Sequence, residues 1–443
     1  MKGPPQDRFA KGRQLADRLE ALVPGGGHTY SKGRDQFPYL APGLMRRGFG
    51  AHLEDVDGNQ FLDYGMGLRS VTLGHGFEPV VAAVREQLSQ GSNFTRPSLL
   101  ELALAEKVTD LIPCADMVKF AKNGSDVTTA AVRLARAFTG RKRIAVCAGD
   151  PFYAVHDWFI GRTPCNNGIP EEIAGLTVSF RYNDMASVQA LIDRYPNELA
   201  CIILEPISDR AQPEPGFLEQ LRDLATRHGI VLIFDEIITG FRYHLKGAQA
   251  MLSVTPDLAT FAKGCANGFS LSMLCGRREI MALGGLKHEE PRVFLLSATH
   301  GAETHGLAAA LATINFMESH AVIEHLWNYG SRLIEGFNRL AAEQGLQDHL
   351  GMHGPACSPC LRVSGPGEET KRLILTLFHQ YLIAEQVLMP WIALSYAHGE
   401  EELATTLAAF EKALAAVKQA FADPPLEKHL LGEAVRPVFR RFN

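Results

Sequence analysis

The stretch Val231-Leu-Ile-Phe-Asp235-Glu236 places two acids directly after four apolar residues. This order predicts a buried strand with acidic side chains at its carboxyl end. Cys201-Ile-Ile-Leu-Glu205-Pro206 has the same form, and residues 217–228 between the two predict a helix that stops at Gly229. The predicted buried face of that helix consists of Leu218, Leu221 and Ala225. Strand, helix and strand within about 35 residues predict a βαβ unit with a right-handed crossover.

The same alternation of strands and helices continues outside this unit. Strands are predicted at 117–121 and 144–148, with a helix at 127–138 between them. Residues 50–63 predict a β-hairpin that turns at Asp57-Gly58. Long helices are predicted towards the C-terminus, at 306–319, 322–343 and 400–422. The sequence therefore predicts an α/β fold with a mostly parallel sheet covered by helices, and a smaller C-terminal lobe that begins in or just after helix 306–319.

Composition and charge limit the classes of function. The chain has 443 residues, 46% of them hydrophobic and 21% charged, which is typical of a soluble globular protein with two or three lobes. The net charge of −5 and the shortness of the longest basic cluster, Arg141-Lys-Arg143, favour no nucleic-acid partner. The N-terminus has no apolar signal region, and no run of about 18 apolar residues occurs. We therefore expect a cytoplasmic protein without a membrane partner.

The cysteines predict neither a disulfide framework nor a metal site. Eight cysteines are few for a disulfide-dependent chain of this length. Cys357-Ser-Pro-Cys360 is a lone CxxC motif without the second pair or the histidines of a metal site. It also lacks the strand-to-helix position of a thioredoxin-type motif. We expect these thiols to be buried as small hydrophobic groups.

Lys263, in Thr260-Phe-Ala-Lys263-Gly264, follows Asp235 one strand-like run later in the chain. An acid that keeps a pyridine nitrogen protonated and an amine that forms a Schiff base are the two protein groups that pyridoxal 5′-phosphate (PLP) chemistry requires. Taken alone, the pair is more typical of a strand-end cap and a solvated lysine than of a catalytic site.

Lys122-Asn-Gly-Ser-Asp126 lies between a predicted strand and a predicted helix. Gly124 lets the backbone approach an anion, the free N–H groups of the helix start point at it, and the Ser125 hydroxyl adds a donor. Taken alone, such a segment is more often an N-cap formed by Ser125 or Asp126. Neither the dinucleotide-binding nor the P-loop fingerprint occurs in the chain. The phosphate cradle, the acid and the lysine follow one another in order, with predicted strands before the first two.

These three features stand in a sequence that resembles the class III (ω-) aminotransferases of PLP fold type I, closest to the glutamate-1-semialdehyde 2,1-aminomutase-like branch. The matching stretches are Val23-Pro-Gly-Gly26, Leu53-Glu-Asp-Val-Asp-Gly58, Leu73-Gly-His75, Leu104-Ala-Glu-Lys-Val108, Ala130-Ala-Val-Arg-Leu-Ala-Arg-Ala137 with Thr139-Gly-Arg141, Leu232-Ile-Phe-Asp-Glu236 with Thr239-Gly-Phe-Arg242, Val254-Thr-Pro-Asp-Leu258 and Gly276-Arg-Arg-Glu-Ile-Met281. The resemblance implies an N-terminal segment 1–75 that joins the small lobe, a large PLP-binding domain 76–310 and a C-terminal small domain 311–443. The smaller α+β lobe is then built from both chain ends.

The resemblance also implies roles for the residues around the acid and the lysine. Lys263 corresponds to the catalytic lysine that forms the Schiff base and carries the proton between the cofactor and the substrate carbon. Asp235 corresponds to the second catalytic residue, which bonds the pyridine nitrogen and keeps it protonated. Ile237 corresponds to the residue that packs on the ring face, and Glu205 is a further candidate for cofactor binding.

For the phosphate, the resemblance implies contacts from the cradle and from a second chain. Gly124 and Ser125 correspond to phosphate-binding residues, and Asp126 stands where the family has a glutamate with a longer arm. Thr299, in Ser297-Ala-Thr-His-Gly-Ala, corresponds to the threonine that reaches the phosphate from the neighbouring subunit. The implied assembly is an obligate homodimer with shared active sites.

The residues on the substrate side depart from the family pattern. The family's Tyr-His-Gly, whose ring stacks on the cofactor, is replaced by Asp150-Pro-Phe-Tyr-Ala154, in which Phe152 is the first candidate for stacking and Tyr153 the second. Lys32 stands where the aminomutase branch has an arginine for the substrate carboxylate. Arg69 is a new candidate for binding a hydroxyl-rich or anionic substrate. The loop after Pro206 is shorter than the aminomutase pattern.

Because the cofactor residues are kept while the substrate residues change, the sequence favours an aminotransferase. Asn267-Gly-Phe-Ser-Leu-Ser and the tail Val438-Phe-Arg-Arg-Phe-Asn443 resemble aminotransferases that act on modified sugars in polysaccharide or antibiotic pathways. We expect transfer from a small amino donor to an aldehyde or keto group of a sugar or related metabolite. The alternatives are an aminomutase-like intramolecular transfer and, more remotely, a PLP-binding protein without catalysis.

Overall fold

The computed structural model describes residues 8–149, 152–209 and 211–442. Their strands are β1 (Met45–Phe49), β2 (His52–Asp55), β3 (Gln60–Asp63), β4 (Met117–Ala121), β5 (Arg143–Ala148), β6 (Thr177–Arg181), β7 (Leu199–Leu204), β8 (Val231–Asp235), β9 (Leu258–Phe261), β10 (Ser272–Gly276), β11 (Leu350–His353), β12 (Cys360–Val363) and β13 (Val387–Leu388).

The α-helical elements are α1 (Ala10–Leu22), α2 (Met66–Arg69), α3 (Glu78–Ser89), α4 (Leu99–Leu111), α5 (Gly124–Thr139), α6 (Asp157–Ile160), α7 (Glu171–Ala174), α8 (Met185–Arg194), α9 (Phe217–Arg227), α10 (Ala248–Met251), α11 (Arg278–Met281), α12 (Thr304–Ser319), α13 (Val322–Glu343), α14 (Gly367–Ala384) and α15 (Glu400–Ala422). Short 3₁₀ helices span Pro24–Gly26, Tyr30–Lys32, Arg34–Gln36, Lys263–Ala266, Ala282–Gly284 and Leu426–His429.

The largest sheet has seven strands in the order β4-β10-β9-β8-β7-β5-β6. The strands from β9 to β6 are parallel to their neighbours, and β10 runs antiparallel to both β9 and β4. β7, β8, β9 and β10 are buried along their whole length, as strands covered on both faces must be. The predicted mostly parallel α/β sheet is therefore confirmed.

The βαβ unit β7-α9-β8 forms part of the core of this sheet. Its helix begins at Phe217 and ends at Arg227, and Gly229 follows it with a left-handed backbone at φ +60°. Leu218, Leu221 and Ala225 are buried in a cluster that also contains Leu204 and Phe234 of the two strands. The predicted buried face of the helix is thus confirmed. On these strands, α5 packs against β7, β8, β9 and β10.

A second set of elements comes from the two ends of the chain. β1, β2, β3 and β13 form a four-stranded sheet, in which β13 pairs in parallel with β3, and β11 pairs with β12. β2 and β3 form the predicted hairpin, whose turn contains Gly58 at φ +89°. The predicted long helices α13 and α15 are confirmed, and the edge-to-face rings of Phe337 and Phe410 pack between them.

The described residues divide into two compact units. The first contains the described part of Met1–Leu68, with Leu73–Phe77 and Glu324–Arg440, and the second contains Arg69–Thr72, Glu78–Ile323 and the described part of Arg441–Asn443. The later change of unit falls after Ile323 rather than after residue 310, because α12 packs on α3 and α4 of the second unit. The functional domain limits 1–75, 76–310 and 311–443 stay a prediction.

Two further features of the described residues bear on the sequence analysis. Cys357 is fully buried and Cys360 is partly exposed, and all eight cysteines are free thiols. No group of three or more His, Cys, Asp and Glu side chains in residues 8–149, 152–209 and 211–442 is arranged to hold a metal ion. Within the same residues, no single helix combines the length and the apolar character that crossing a membrane requires. Of the described helices, only α12 and α13 taken together, with a bend of 73° at the break between them, have that length and apolar character.

Candidate active site

The carboxyl ends of three neighbouring strands bring the predicted acids and the lysine together. β7, β8 and β9 are parallel, and their register pairs Asp235 at the end of β8 with Thr260 of β9. Glu205 directly follows β7, and Lys263 begins a 3₁₀ helix just after β9. The charges of Glu205 and Asp235 both act on the amine of Lys263. The structure therefore collects these three side chains at one edge of the sheet.

Lys263 has an unusual backbone and an unusual amine. Its φ is +49°, a left-handed backbone conformation that is unfavourable for residues other than glycine. Such residues are concentrated at functional positions. Burial lowers the pKa of Lys263 to about 8, and the charge of Arg69 acts in the same direction, while Glu205 and Asp235 oppose the change. Because only the neutral amine is a nucleophile, the lowered pKa makes the residue more reactive near neutral pH.

Asp235 is a buried carboxylate with fixed orientation. Its side chain is 3% exposed, and Oδ1 accepts hydrogen bonds from the backbone N–H of Ile237 at 3.0 Å and from the hydroxyl of Thr260 at 3.2 Å. A buried carboxylate needs such donors, because an uncompensated buried charge is costly. The bonds hold Asp235 at the carboxyl end of β8, on the edge that carries Lys263.

The predicted phosphate cradle is the first turn of α5. A Cβ atom on Gly124 would lie 2.6 Å from Cδ1 of Ile237, so an alanine there would force the end of the Ile237 side chain to shift. Ser125 is buried, and its Oγ accepts a hydrogen bond from the backbone N–H of Val155 at 3.1 Å. The first N–H groups of a helix have no partner within the helix and favour an anion. Gly124, Ser125 and Ile237 thus lie together at the start of α5.

Asp126 bonds to the backbone at the start of its own helix. Its Oδ2 accepts a hydrogen bond from the backbone N–H of Asn123 at 3.0 Å and lies 3.4 Å from the Asn123 side-chain amide. This is the reciprocal half of a capping box, in which the third residue of the helix bonds back to the residue before it. Asp126 therefore stabilises the start of α5, and its prediction as a cofactor contact stays a prediction.

The two aromatic candidates differ in burial. Phe152 is 42% exposed, whereas Tyr153 is 1% exposed and packs edge-on against Phe159 at 5.5 Å between ring centroids. The carbonyl of Tyr153 accepts a hydrogen bond from Thr128 of α5 at 2.8 Å. Of these two rings, Phe152 is therefore the more accessible to a ligand. Asp150 and Pro151 of the same predicted stretch lie outside the described residues.

Arg69 forms a buried ion pair close to Lys263. Its Nη2 lies 2.6 Å from Oδ2 of Asp209, and both side chains are 14% exposed. Burial alone would lower the pKa of Arg69, but the charge and hydrogen bond of Asp209 outweigh it and raise the pKa. A second arginine, Arg242, is 1% exposed and donates a hydrogen bond to the carbonyl of Arg69 at 3.2 Å. The charges of both arginines act on Lys263.

The backbone before Arg69 is a left-handed turn. Met66, Gly67, Leu68 and Arg69, which make up α2, have φ values of 39°, 56°, 62° and 68°. A left-handed turn costs about 1–2 kcal/mol for each residue that is not glycine, so it persists only where neighbouring contacts require it. Asp63 supplies such contacts, since its carboxylate accepts from the N–H groups of Gly65 at 2.7 Å and Met66 at 3.1 Å.

The remaining predicted residues lie on the surface. Thr299 is exposed, and its carbonyl accepts a hydrogen bond from the side chain of Asn93 at 3.0 Å. Lys32 is exposed in a 3₁₀ helix of the first unit, whereas Lys263 and its neighbours belong to the second. The substrate-binding prediction for Lys32 stays a prediction.

Glu236, the acid directly after β8, supports the loop behind the candidate site, a role that the sequence analysis does not predict. It is fully buried, and burial raises its pKa, although hydrogen bonds from Gln249, the N–H of Ala248 and Thr239 oppose the change. The Gln249 amide and the Thr239 hydroxyl donate to it at 2.8 and 2.9 Å. Side chains alternate along a strand, so Glu236 points to the face opposite that of Asp235. There its hydrogen bonds fix the loop that follows β8.

The arrangement fits PLP. A helix start with a glycine packed closely on Ile237, a buried carboxylate at a strand end and an amine with a pKa of about 8 are groups suited to a phosphate, a pyridine nitrogen and an aldehyde. The family model of the class III aminotransferases matches residues 30–354. The chain belongs to the class III aminotransferase family.

Known proteins align with this chain over almost its full length. It is 31% identical to a 3-aminobutyryl-CoA aminotransferase of Cloacimonas acidaminovorans, over 93% of this chain and 98% of the relative. It is 33% identical to a glutamate-1-semialdehyde 2,1-aminomutase of Methanothermobacter thermautotrophicus, over 92% of this chain and 100% of the relative. The structure of the PLP internal aldimine form of the Sphingopyxis sp. MTA144 FumI protein superposes with a TM-score of 0.85 at 26% identity, covering 96% of this chain and 100% of that one.

These findings confirm the predicted family, the aminomutase-like branch, PLP fold type I and PLP as the cofactor. The class III aminotransferase is therefore a PLP-dependent transaminase or aminomutase.

Proposed function

We propose that this class III aminotransferase transfers an amino group between two separate molecules, from a small amino donor to an aldehyde or keto group of a sugar or sugar-derived intermediate. Such products serve polysaccharide or antibiotic-type biosynthesis. The enzyme would work in the cytoplasm as a homodimer with shared active sites. The ion pair of Arg69 with Asp209 is the observation that carries the choice of acceptor.

Each residue at the sheet edge has a part in this proposal. When bound, PLP supplies an electron sink that stabilises the carbanion of the substrate. Asp235 keeps the pyridine nitrogen protonated, because a buried carboxylate is held ready at the end of β8. Lys263 holds the cofactor aldehyde and moves the proton at the substrate carbon, for which an amine with a pKa of about 8 is well suited. Gly124 and Ser125 bind the phosphate, and Ile237 and Phe152 pack on the ring.

The charges near Lys263 disfavour an acceptor with its own carboxylate. A substrate carboxylate needs an arginine whose charge is not already balanced. Arg69 is balanced by Asp209 at 2.6 Å, and Arg242, which is 1% exposed and donates to the carbonyl of Arg69 at 3.2 Å, presents almost no accessible surface to a ligand. Separating this partly buried pair leaves the Asp209 carboxylate without its cation, which is unfavourable. Asp209 would therefore have to separate from Arg69 before a substrate carboxylate could bind Arg69.

Hydroxyl groups can bind the same pair without separating it. A hydroxyl is at once a donor and an acceptor. It can donate to a free lone pair of Asp209 and accept from an N–H group of Arg69 while the ion pair stays closed. A neutral acceptor with several hydroxyls therefore matches the site better than an amino-acid aldehyde does.

The second candidate is the aminomutase. The 33% identity to an aminomutase over 92% of the chain favours it, because that relative moves an amino group within one molecule. An aminomutase would convert a single substrate without any second carbonyl compound. The two candidates therefore differ in whether an added acceptor is consumed.

A single-turnover experiment tests the proposal. Enzyme loaded with pyridoxamine 5′-phosphate is mixed with a keto sugar, with the matching uronic acid or with glutamate 1-semialdehyde, and the return of the visible absorbance of lysine-bound PLP is followed. We expect the neutral keto sugar to react at least about tenfold faster than its acid partner, because only the acid has to open the ion pair of Arg69 with Asp209. A faster reaction of glutamate 1-semialdehyde, with turnover in the absence of any other acceptor, would establish the aminomutase instead.

The catalytic roles have their own control. Lys263→Ala should lose the visible absorbance and reduce turnover at least about a thousandfold, because the covalent and proton-transfer functions disappear together. The exposed Lys287→Met, on the surface of the same unit, should change neither. Normal turnover by Lys263→Ala would contradict the assignment of the lysine.

The dimer is tested by mixing two inactive variants. If Thr299 reaches the phosphate of the opposite subunit, a dimer of one Lys263→Ala chain and one Thr299→Ala chain has one site with both defects and one with neither. Activity should then recover on mixing. Sedimentation of the exchanged sample as dimers, with a clear Thr299→Ala defect and no recovery, would place Thr299 in its own subunit's site.

A further inference from the structure

Glu303 is surrounded by three basic side chains. Its Oε2 lies 2.7 Å from Nζ of Lys122 and 3.7 Å from Nε2 of His305, and its Oε1 lies 2.9 Å from Nδ1 of His300. The side chains of Lys122 and Glu303 are only 17% and 18% exposed. The hydrogen bond from Lys122 holds the pKa of Glu303 below its ordinary value, with partial opposition from burial. The Glu303 carboxylate therefore interacts with all three basic side chains.

The ion pair joins two segments that carry predicted phosphate contacts. Lys122 directly follows β4 and precedes Asn123 and Gly124 of the cradle. Glu303 directly precedes α12 and lies four positions after Thr299 along the chain. The two side chains are thus a direct link between the cradle and the segment that carries Thr299.

Other contacts hold the same segment in place. Asn93 donates to the carbonyl of Thr299 at 3.0 Å, and Thr304 donates through its N–H to Ser92 at 2.9 Å and through its hydroxyl to Gly91 at 2.8 Å. These bonds fix the segment to the loop after α3, and the Lys122–Glu303 pair links it to the turn before α5. An exposed ion pair contributes little to stability, but one that is mostly buried and shared among several donors restrains geometry more strongly.

We infer that Glu303 is a positioning residue for the cofactor phosphate of the opposite subunit. Through Lys122 it fixes the segment that carries Thr299 against the cradle of its own chain, and the Thr299 hydroxyl then donates to the phosphate dianion bound by the partner. The inference rests on the proposed crossing of Thr299 between subunits. Its consequence is that the cradle of one site sets the geometry of a phosphate contact in the other.

Mixed dimers separate an effect on the opposite site from an effect on the same chain's site. A chain with Lys263→Ala gives no lysine-bound absorbance, so in a mixed dimer the visible band reports only the site of the chain that keeps Lys263. Glu303→Gln is introduced either into the silent chain or into the reporting chain. PLP is then titrated, and its dissociation constant at the reporting site is measured.

We expect Glu303→Gln in the silent chain to raise that dissociation constant at least about fivefold, as the loss of a well-placed charge-assisted hydrogen bond does. In the reporting chain the same change should raise the dissociation constant of PLP less than about twofold. The reason is that Thr299 of the reporting chain contacts the phosphate in the silent chain's site. Glu303→Asp in the silent chain, which keeps the charge, should restore at least half of the loss. Thr299→Ala in the silent chain sets the largest effect that the route through Thr299 allows.

A matched ion pair provides the control. Lys107 of α4 and Glu318 of α12 lie 2.9 Å apart with 31% and 34% exposure, on the same helix that Glu303 precedes. Glu318→Gln should change the dissociation constant in neither arrangement, because this pair lies away from the cradle and from Thr299.

The outcomes distinguish failure of the inference from failure of the proposed function. The readout is PLP binding and needs no acceptor, so an error in the proposed substrate leaves it intact. A Thr299→Ala effect in the silent chain without a Glu303→Gln effect there overturns the inference alone. No Thr299→Ala effect in the silent chain overturns both the inference and the proposed crossing, and an effect of Glu303→Gln confined to the reporting chain shows that Glu303 serves its own site.

Discussion

Replacing Lys263 by methionine should stabilise the apoenzyme while abolishing its chemistry. The ordinary pKa of a lysine is 10.5, and burial lowers that of Lys263 to about 8. Each unit of pKa corresponds to about 1.4 kcal/mol, so the protonated amine costs the folded protein about 3 kcal/mol. Methionine has a similar shape without the charge, and part of the lysine surface is accessible, so a gain of about 2–3 kcal/mol in the free energy of unfolding is expected.

The sign of the pH dependence follows from the two pKa values. Below pH 8 the amine is protonated in both the folded and the unfolded chain, and the full cost is present. Between pH 8 and pH 10.5 only the unfolded chain binds the proton, so the stability of the natural apoenzyme rises with pH relative to the variant. Above pH 10.5 both forms of the amine are neutral, and the difference between the two proteins should disappear.

Urea unfolding of the two apoenzymes, followed by fluorescence at pH 7.0 and pH 10, measures this difference. The exposed Lys287→Met serves as the control for loss of a lysine charge and should match the natural protein at both pH values. A Lys263→Met apoenzyme that is less stable than the natural one at pH 7.0, or a difference that grows with pH, would refute the reasoning.

Three further changes test the surroundings of the lysine. Gly124→Ala should weaken PLP binding at least about tenfold because its Cβ would lie 2.6 Å from Cδ1 of Ile237, and adding Ile237→Val, which removes that atom, should recover part of the affinity in the same titration. Asp235→Asn should keep the absorbance of bound PLP but lose most of the turnover, because an amide cannot hold the pyridine nitrogen protonated; unchanged turnover would assign that task to another acid. Glu236→Gln should lower the free energy of unfolding by about 1–3 kcal/mol in urea titrations, because the new NH₂ group would face donors where a carboxylate now accepts from Gln249 and Ala248.

The parts of the fold that the sequence predicts are those with a local signal. β7, α9 and β8 are recognisable because a strand buried on both faces is apolar throughout and its covering helix has one apolar face. The direction of β10 has no such signal. Its apolar residues fit a parallel or an antiparallel neighbour equally well, and the difference depends on how the chain enters the sheet.

The candidate site is predictable to a similar depth. Asp235, Lys263 and Gly124 could be found because each stands at the end or the start of a recognisable element. The partner of Arg69 could not, since Asp209 lies 140 positions further along the chain and only the folded loop after β7 brings them together. Asp126 shows the opposite limit, because the same carboxylate pattern fits a helix cap and a ligand, and only the structure shows its bond to Asn123.

The antiparallel direction of β10 limits how this enzyme can evolve. Because β10 returns from the edge of the sheet where β9 ends, residues 262–271 connect two paired strands, and Lys263 lies two positions after Phe261, which pairs with Met273. An inserted or deleted residue there would shift the pairing register or displace the amine, and each is costly. The loops after β5 and β7 belong to strands whose connections run through helices, and such loops tolerate changes of length. New substrate preferences should therefore arise by insertion and deletion in those two loops, while the lysine connection keeps a constant length among enzymes that share this topology.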